Sequence, residues 1–152
     1  MPVLFLAFIV IGIDRLSKYY VETHMSLGMS IPVIRDLFHI TYIINPGAAF
    51  GILEYQTGFF IVVSVVMIAA AIWYVPRIPA RYRLLRFGIG IQAGGAIGNL
   101  IDRIRYGGVV DFLDFRIWPV FNVADMAIVG GVGCILVTLL YVMRKEEEKQ
   151  WL

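Results

Sequence analysis

Four apolar runs, at about residues 3–21, 58–75, 84–104 and 120–143, set the terms on which this chain can fold. Crossing hydrocarbon about 30 Å thick takes roughly 20 helical residues, so each run predicts a membrane span. With 60% of its 152 residues hydrophobic, the chain is long enough for one domain, and that domain reads as an integral membrane unit over residues 1–152. A net charge of +2, with the basic residues scattered along the sequence, gives no footprint for nucleic acid. The apolar N-terminus has no basic leader and is interrupted by Asp14, Arg15 and Lys18, so it is expected to be retained rather than cleaved. Cys134 is the lone cysteine, which rules out an internal disulfide and predicts a buried structural thiol.

The links between the runs differ in kind. Residues 26–57, "SLGMSIPVIRDLFHITYIINPGAAFGILEYQT", are too interrupted to span. Within them "FHITYII" is rich in β-branched and aromatic residues and "NPG" follows as a turn signal, so a short strand or hairpin is expected there. The second link, "PRIPARYR", carries prolines that stop a helix and three arginines. If that link and both termini are cytoplasmic, their side holds Arg77, Arg81, Arg83, Arg86, Arg144, Lys145 and Lys149. The other side then holds Arg15, Lys18, Arg35, Arg103, Arg105 and Arg116, a small difference that favours this orientation.

Polar residues inside apolar helices carry the chemistry. Asn99 and Asp102 lie three apart at the end of the third run, and Asn122 and Asp125 three apart at the start of the fourth. On helices each pair shares a face, and antiparallel neighbours bring the two ends to one side of the membrane. Asp111 follows the third run closely, and the connection to Asp125 is long enough for the two carboxylates to meet. Neighbouring carboxylates share a proton, so one can act as base and the other as acid, which is the equipment of an aspartic peptidase. No metal is called for: His24 and His39, the only histidines, lack ligand spacing.

A plainer reading competes. Asn122 is a good helix N-cap and Asp125 sits where the helix dipole favours an acid, so capping alone also accounts for them. Against it stands cost, because a charge at the bilayer centre is disfavoured by ~2.5–3.5 kcal/mol on insertion scales. Asp14 and Lys18, four apart on the first helix, read as an ion pair that orients it, and Asp102 with Arg103 admits the same reading. Gly90, Gly94 and Gly98 allow close helix approach. The loose dinucleotide pattern in "GIGIQA" is a chance match within a span.

Five stretches together, "DRLSK", "NPGAAFGIL", "GAIGNLIDR", "GGVVDFLDF" and "FNVAD", closely resemble the bacterial lipoprotein signal peptidases, or signal peptidase II, in order and over nearly the whole chain. The resemblance implies a mainly α membrane protein of four transmembrane helices with a small extracytoplasmic β-sheet cradle and a short surface helix, suiting about residues 26–57. It implies an inner-membrane aspartic endopeptidase, both termini cytoplasmic, with its site near the extracytoplasmic face. Such enzymes remove the signal peptide of diacylglyceryl-modified prolipoproteins, cutting before the lipidated cysteine, without a cofactor. By motif, Asp111 and Asp125 match the catalytic pair. Asn45, Gly47, Ala48, Asn99, Arg103 and Asn122 match residues that line the site, and Asp14 and Lys18 match the first-helix pair. The implied partners are the lipidated precursor and membrane lipids, with the enzyme a monomer. Two rivals remain at this stage: a proton-coupled transporter, separable by liposome uptake, and an assembly subunit whose polar residues only join helices.

Overall fold

The structure, a computed structural model, describes residues 2–47 and 53–150. The apolar runs become α1 (Pro2–His24), α2 (Thr57–Tyr74), α3 (Arg83–Tyr106) and α4 (Val123–Gln150). Three stretches, Thr57–Arg77, Arg83–Tyr106 and Val123–Lys145, are long and apolar enough to cross a membrane by length and composition. Helix α1 is also long enough, but no stretch of spanning length within it avoids Asp14, Arg15 and Lys18. Three of the four expected spans are therefore present by length and composition, and the fourth depends on what happens to those charges.

Helix α3 is the centre of the bundle, and its glycines explain why. A side chain at Gly90 would meet Val3 and one at Gly94 would meet Ala7 and Val10, so this face lies against α1, with the two helices running the same way. A side chain at Gly88 would meet Cys134 and Gly131, and one at Gly95 would meet Ala124 and Ile128, so a second face lies against α4, running the opposite way. Removing Cβ atoms lets backbones approach closely where hydrocarbon solvent gives little drive for helices to associate. Cys134, expected to be buried, is half-buried beside Gly88.

Strands β1 (Ser30–Ile34), β2 (Phe38–Asn45) and β3 (Val109–Asp114) form one antiparallel sheet in the order β1-β2-β3. The hairpin expected around "FHITYII" is present as β1 and β2, turning through Asp36 at φ 61°. Strand β3 is an addition that the linker reading did not contain. It starts just after α3 because Gly107, at φ 72°, closes the helix in the left-handed conformation and returns its N–H to Arg103 O at 3.1 Å. Gly108 then passes so near Asn45 O that a Cβ there would lie 2.7 Å from it. The fourth apolar run, expected to be helical from about residue 120, is extended at Phe121, which bridges to Leu113 of β3. The short surface helix is not seen at residues 25–47 or 53–56, and residues 48–52 lie outside the described residues.

Candidate active site

The site is assembled where α4 begins. Asn122 is the N-cap: its Oδ1 accepts the Asp125 N–H at 2.9 Å, and Asp125 Oδ2 in return accepts the Asn122 N–H at 3.2 Å. That is a capping box, with an aspartate in the third helical position. A third N-terminal amide, Ala124 N–H, donates to Asp14 Oδ1 on α1 at 3.1 Å. The capping reading of Asn122 and Asp125 is thus correct as local structure. It does not exhaust them, because each has a second set of partners.

Asp111 lies on β3 opposite Ile43, and Asn45 pairs with Val109 two residues away, so both side chains share a sheet face as diagonal neighbours. Asn45 Nδ2 donates to Asp111 Oδ2 at 3.0 Å, while Asn45 Oδ1 accepts the Gly47 N–H at 3.0 Å. Asn122 Nδ2 donates to Asp111 Oδ1 at 2.7 Å, and Asn99 Nδ2 donates to Asp125 Oδ1 at 2.7 Å. Every oxygen of the two carboxylates therefore accepts a hydrogen bond. Asn122 joins them, holding Asp111 through its amine and the Asp125 backbone through its carbonyl.

Both aspartates, with Asn45, Gly47, Asn99 and Arg103, line one cavity of about 710 Å³ between α2, α3 and α4. Asp111 is 2% exposed. Burial, then the charge of Asp125, push its carboxyl up to about 7, against the opposing pull of the Asn45 and Asn122 donors. At neutral pH the site thus holds a proton available for transfer, as well as charge. Arg103 stands with its guanidinium 4.8 Å over the Phe60 ring, adding a positive group to the wall. The rest of the lining is mainly apolar, including Phe60, Val63, Met67 and Val129, with Ser64 the buried polar residue of α2.

Behind this pair sits a buried ionic cluster. Lys18 and Asp14 form the expected pair at 3.0 Å, both fully buried. Lys18 also reaches Asp102 Oδ2 at 2.7 Å, and Arg15 reaches Asp102 Oδ1 at 2.7 Å and Asp14 Oδ2 at 3.1 Å. An ion pair of Asp102 with its neighbour Arg103 was admissible from the sequence. Asp102 faces α1 instead, while Arg103, one residue further round the helix, lines the cavity. Asp102 Oδ2 also accepts the Val110 N–H at 3.2 Å, tying the cluster to β3.

The structure therefore brings together Asp111, Asp125, Asn45, Gly47, Asn99 and Arg103 at the cavity, with Asn122 buried between the two aspartates and Asp14 and Lys18 one layer behind. Ala48 lies outside the described residues. Sequence reasoning did not assign Arg15 or Asp102 to this assembly, though the three-residue spacing of Asn99 and Asp102 was the signal that both face α1. Among the described residues no group of three or more His, Cys, Asp or Glu side chains is gathered to hold a metal ion.

An apolar helical bundle with two hydrogen-bonded carboxylates on one cavity, one of them raised to about 7, is the equipment of a membrane aspartic peptidase. Residues 6–141 match the family model described as signal peptidase (SPase) II. The lipoprotein signal peptidase of Moorella thermoacetica is 56% identical over 135 residues, covering 87% of this chain and 88% of the relative. That of Desulfitobacterium hafniense is 47% identical over 143 residues, covering 93% and 95%. A solved bacterial membrane enzyme superposes with TM-score 0.86 at 33% identity, covering 92% of this chain and 88% of its own. A second does so with TM-score 0.82 at 34% identity, covering 91% and 92%. This chain belongs to the signal peptidase II family.

Proposed function

We propose that this protein removes the signal peptide from diacylglyceryl-modified prolipoproteins, cutting before the lipidated cysteine, with Asp111 and Asp125 as the catalytic pair. The observation that carries the reading is Asn122, which holds both aspartates on one cavity. In the reaction the ionised member of the pair takes a proton from a water, and that water attacks the scissile carbonyl carbon. The protonated member donates to the carbonyl oxygen, and the resulting tetrahedral intermediate collapses with proton transfer to the leaving amine. Arg103 and the asparagines fix the charges around these transfers, and the apolar wall receives the peptide and its acyl-bearing residue. All these groups belong to one chain, so a monomer suffices.

In this reading α1 is the fourth span. The charges that disfavour it, on Asp14, Arg15 and Lys18, are matched with Asp102 inside the bundle. Two acids and two bases leave the cluster neutral, which removes most of the cost of placing it at membrane depth. The protein sits in the bacterial inner membrane with both termini cytoplasmic. The sheet and the aspartate pair then lie at the extracytoplasmic face, where a lipid-anchored precursor presents its scissile bond and water is at hand.

The test is incubation of purified protein with a lipidated precursor and with the same precursor unlipidated. Cleavage of the first and little of the second, abolished by Asp111→Asn in a folded protein, is the expected result. Equal rates on the two precursors would reject the lipid-dependent part, and full activity in Asp111→Asn would reject the catalytic pair.

A further inference from the structure

Three asparagine amides touch the aspartate pair, and the two ends of an amide have nearly the same shape but opposite polarity. An amide turned by half a revolution would present oxygen to a carboxylate instead of a donor. What keeps each one correctly turned is the partner of its carbonyl. For Asn45 that partner is the Gly47 N–H, and for Asn122 it is the Asp125 N–H, both backbone groups that can only donate. Among the described residues, no backbone N–H donates to the Asn99 carbonyl. Its Oδ1 accepts from Lys18 Nζ at 3.0 Å.

Lys18 is fully buried, and its ammonium has three donors and no acceptor. Two of the donors meet Asp14 and Asp102 and the third meets Asn99. Neutralising two carboxylates leaves that third bond unexplained, since it goes to an uncharged group. Asn122 Nδ2 also lies 3.2 Å from Asn99 Oδ1, but it is committed more closely to Asp111 at 2.7 Å and is shared with Val110 O at 3.2 Å. Lys18 is thus the committed donor to Asn99.

We propose that Lys18 is a positioning residue for Asp125: it locks the Asn99 amide so that Nδ2, rather than Oδ1, faces the Asp125 carboxylate. Turning the amide over would set an NH₂ against an ammonium and an oxygen against a carboxylate, two repulsions in a poorly solvated place. The inference rests on the reading of Asp125 as catalytic. It adds that Lys18 acts on the chemistry through one amide, beyond its part in neutralising Asp14 and Asp102.

The experiment is a double-mutant cycle with Lys18→Met and Asn99→Leu, reading kcat and KM on a lipidated precursor, together with the NMR resonances of the Asn99 side-chain amide. Those resonances are identified by their absence in Asn99→Leu. If Lys18→Met does not fold, the cycle is run in Asp102→Asn, where Asp14 and Arg15 remain charge-balanced. Each single change is expected to lower kcat roughly 10- to 100-fold, the range for losing a hydrogen bond to a charged group. KM is expected to stay within about threefold, because the lost contact is not with the substrate. Adding Lys18→Met to Asn99→Leu is expected to cost less than about twofold more. In Lys18→Met the downfield Asn99 amide proton is expected to move towards the position of a free amide. Losses that multiply, or an amide resonance that Lys18→Met leaves in place, would overturn the lock. If the parent protein does not cleave the precursor at all, the functional reading fails, and the amide resonance alone still decides whether Lys18 sets the orientation.

Discussion

Asp111→Asn is expected to be inactive and, above neutral pH, more stable than the parent protein. The carboxyl of Asp111 sits at about 7 in the fold against 3.8 for a free side chain, with burial first and Asp125 second as causes. Between those values the folded state holds a proton that the unfolded state has lost, so stability falls as pH rises through that window. About three pH units at about 1.4 kcal/mol each give a penalty of roughly 4 kcal/mol above pH 7. The asparagine removes that penalty and introduces a smaller one. Its amide has one acceptor for the two donors Asn45 and Asn122, leaving one of them unsatisfied at about 1–3 kcal/mol. The variant is therefore expected to be the less stable protein near pH 4 and the more stable one near pH 8. Thermal unfolding in detergent across that range measures the difference, and the gap between the two midpoints is expected to swing on the order of 10 °C in favour of the variant. A gap that does not change with pH, or that moves in favour of the parent, would refute the assignment of a buried, charge-opposed carboxyl at this position.

Other outcomes follow from single contacts. Asn122→Ser can keep the N-cap, worth about 1 kcal/mol, but has no amine for Asp111, so it is expected to unfold near the parent midpoint and lose roughly 10- to 100-fold in kcat. Asn122→Ala is expected to lose both, and parent-like kcat in the serine variant would reduce Asn122 to a cap. Gly95→Ala drives a methyl against the Ala124 carbonyl and Ile128, and is expected to cost about 1–3 kcal/mol in chemical denaturation. Gly130→Ala meets nothing nearer than 3.9 Å and is expected to cost nothing, so equal losses in the two would contradict the packing of α3 on α4. The two-carboxylate reaction uses no metal, so cleavage is expected to survive EDTA at full rate. A loss restored by added divalent cation would contradict that chemistry.

The helices were legible because the apolar runs are long: most ends shift by three residues or fewer, while α4 runs on to Gln150 instead of about 143. The start of α4 is instructive. The fourth run is apolar from Val120, yet the helix starts at Val123, because Asn122 is a better cap than a helical residue and Phe121 is taken up by Leu113. Strand β3 was hidden by its surroundings: "VVDFLD" reads as a link between two spans, and its partner β2 lies far back in the sequence. Asn99, Asn122 and Asp125 were visible as polar residues at helical spacing beside apolar runs, and Asp111 as an acid close after the third run with enough chain to reach Asp125. Asn45 and Gly47 were legible only through the family resemblance, since a residue at a strand end gives no local sign that it faces an acid from another strand. The partners of Asp102 were hidden for a related reason. Adjacent residues on a helix point in different directions, and the charge that answers Asp102 comes from α1, some eighty residues earlier in the chain.

Carboxyl-carbon NMR of protein labelled at aspartate, titrated from pH 3 to 9, measures the interaction between the two acids directly. One resonance is expected to titrate near pH 7, to vanish in Asp111→Asn, and to move to lower pH in Asp125→Asn, where the opposing charge is gone. A spectrum in which every aspartate titrates below about pH 5, or in which Asp125→Asn leaves the neutral-range resonance unmoved, would mean that the two carboxyls do not share a proton.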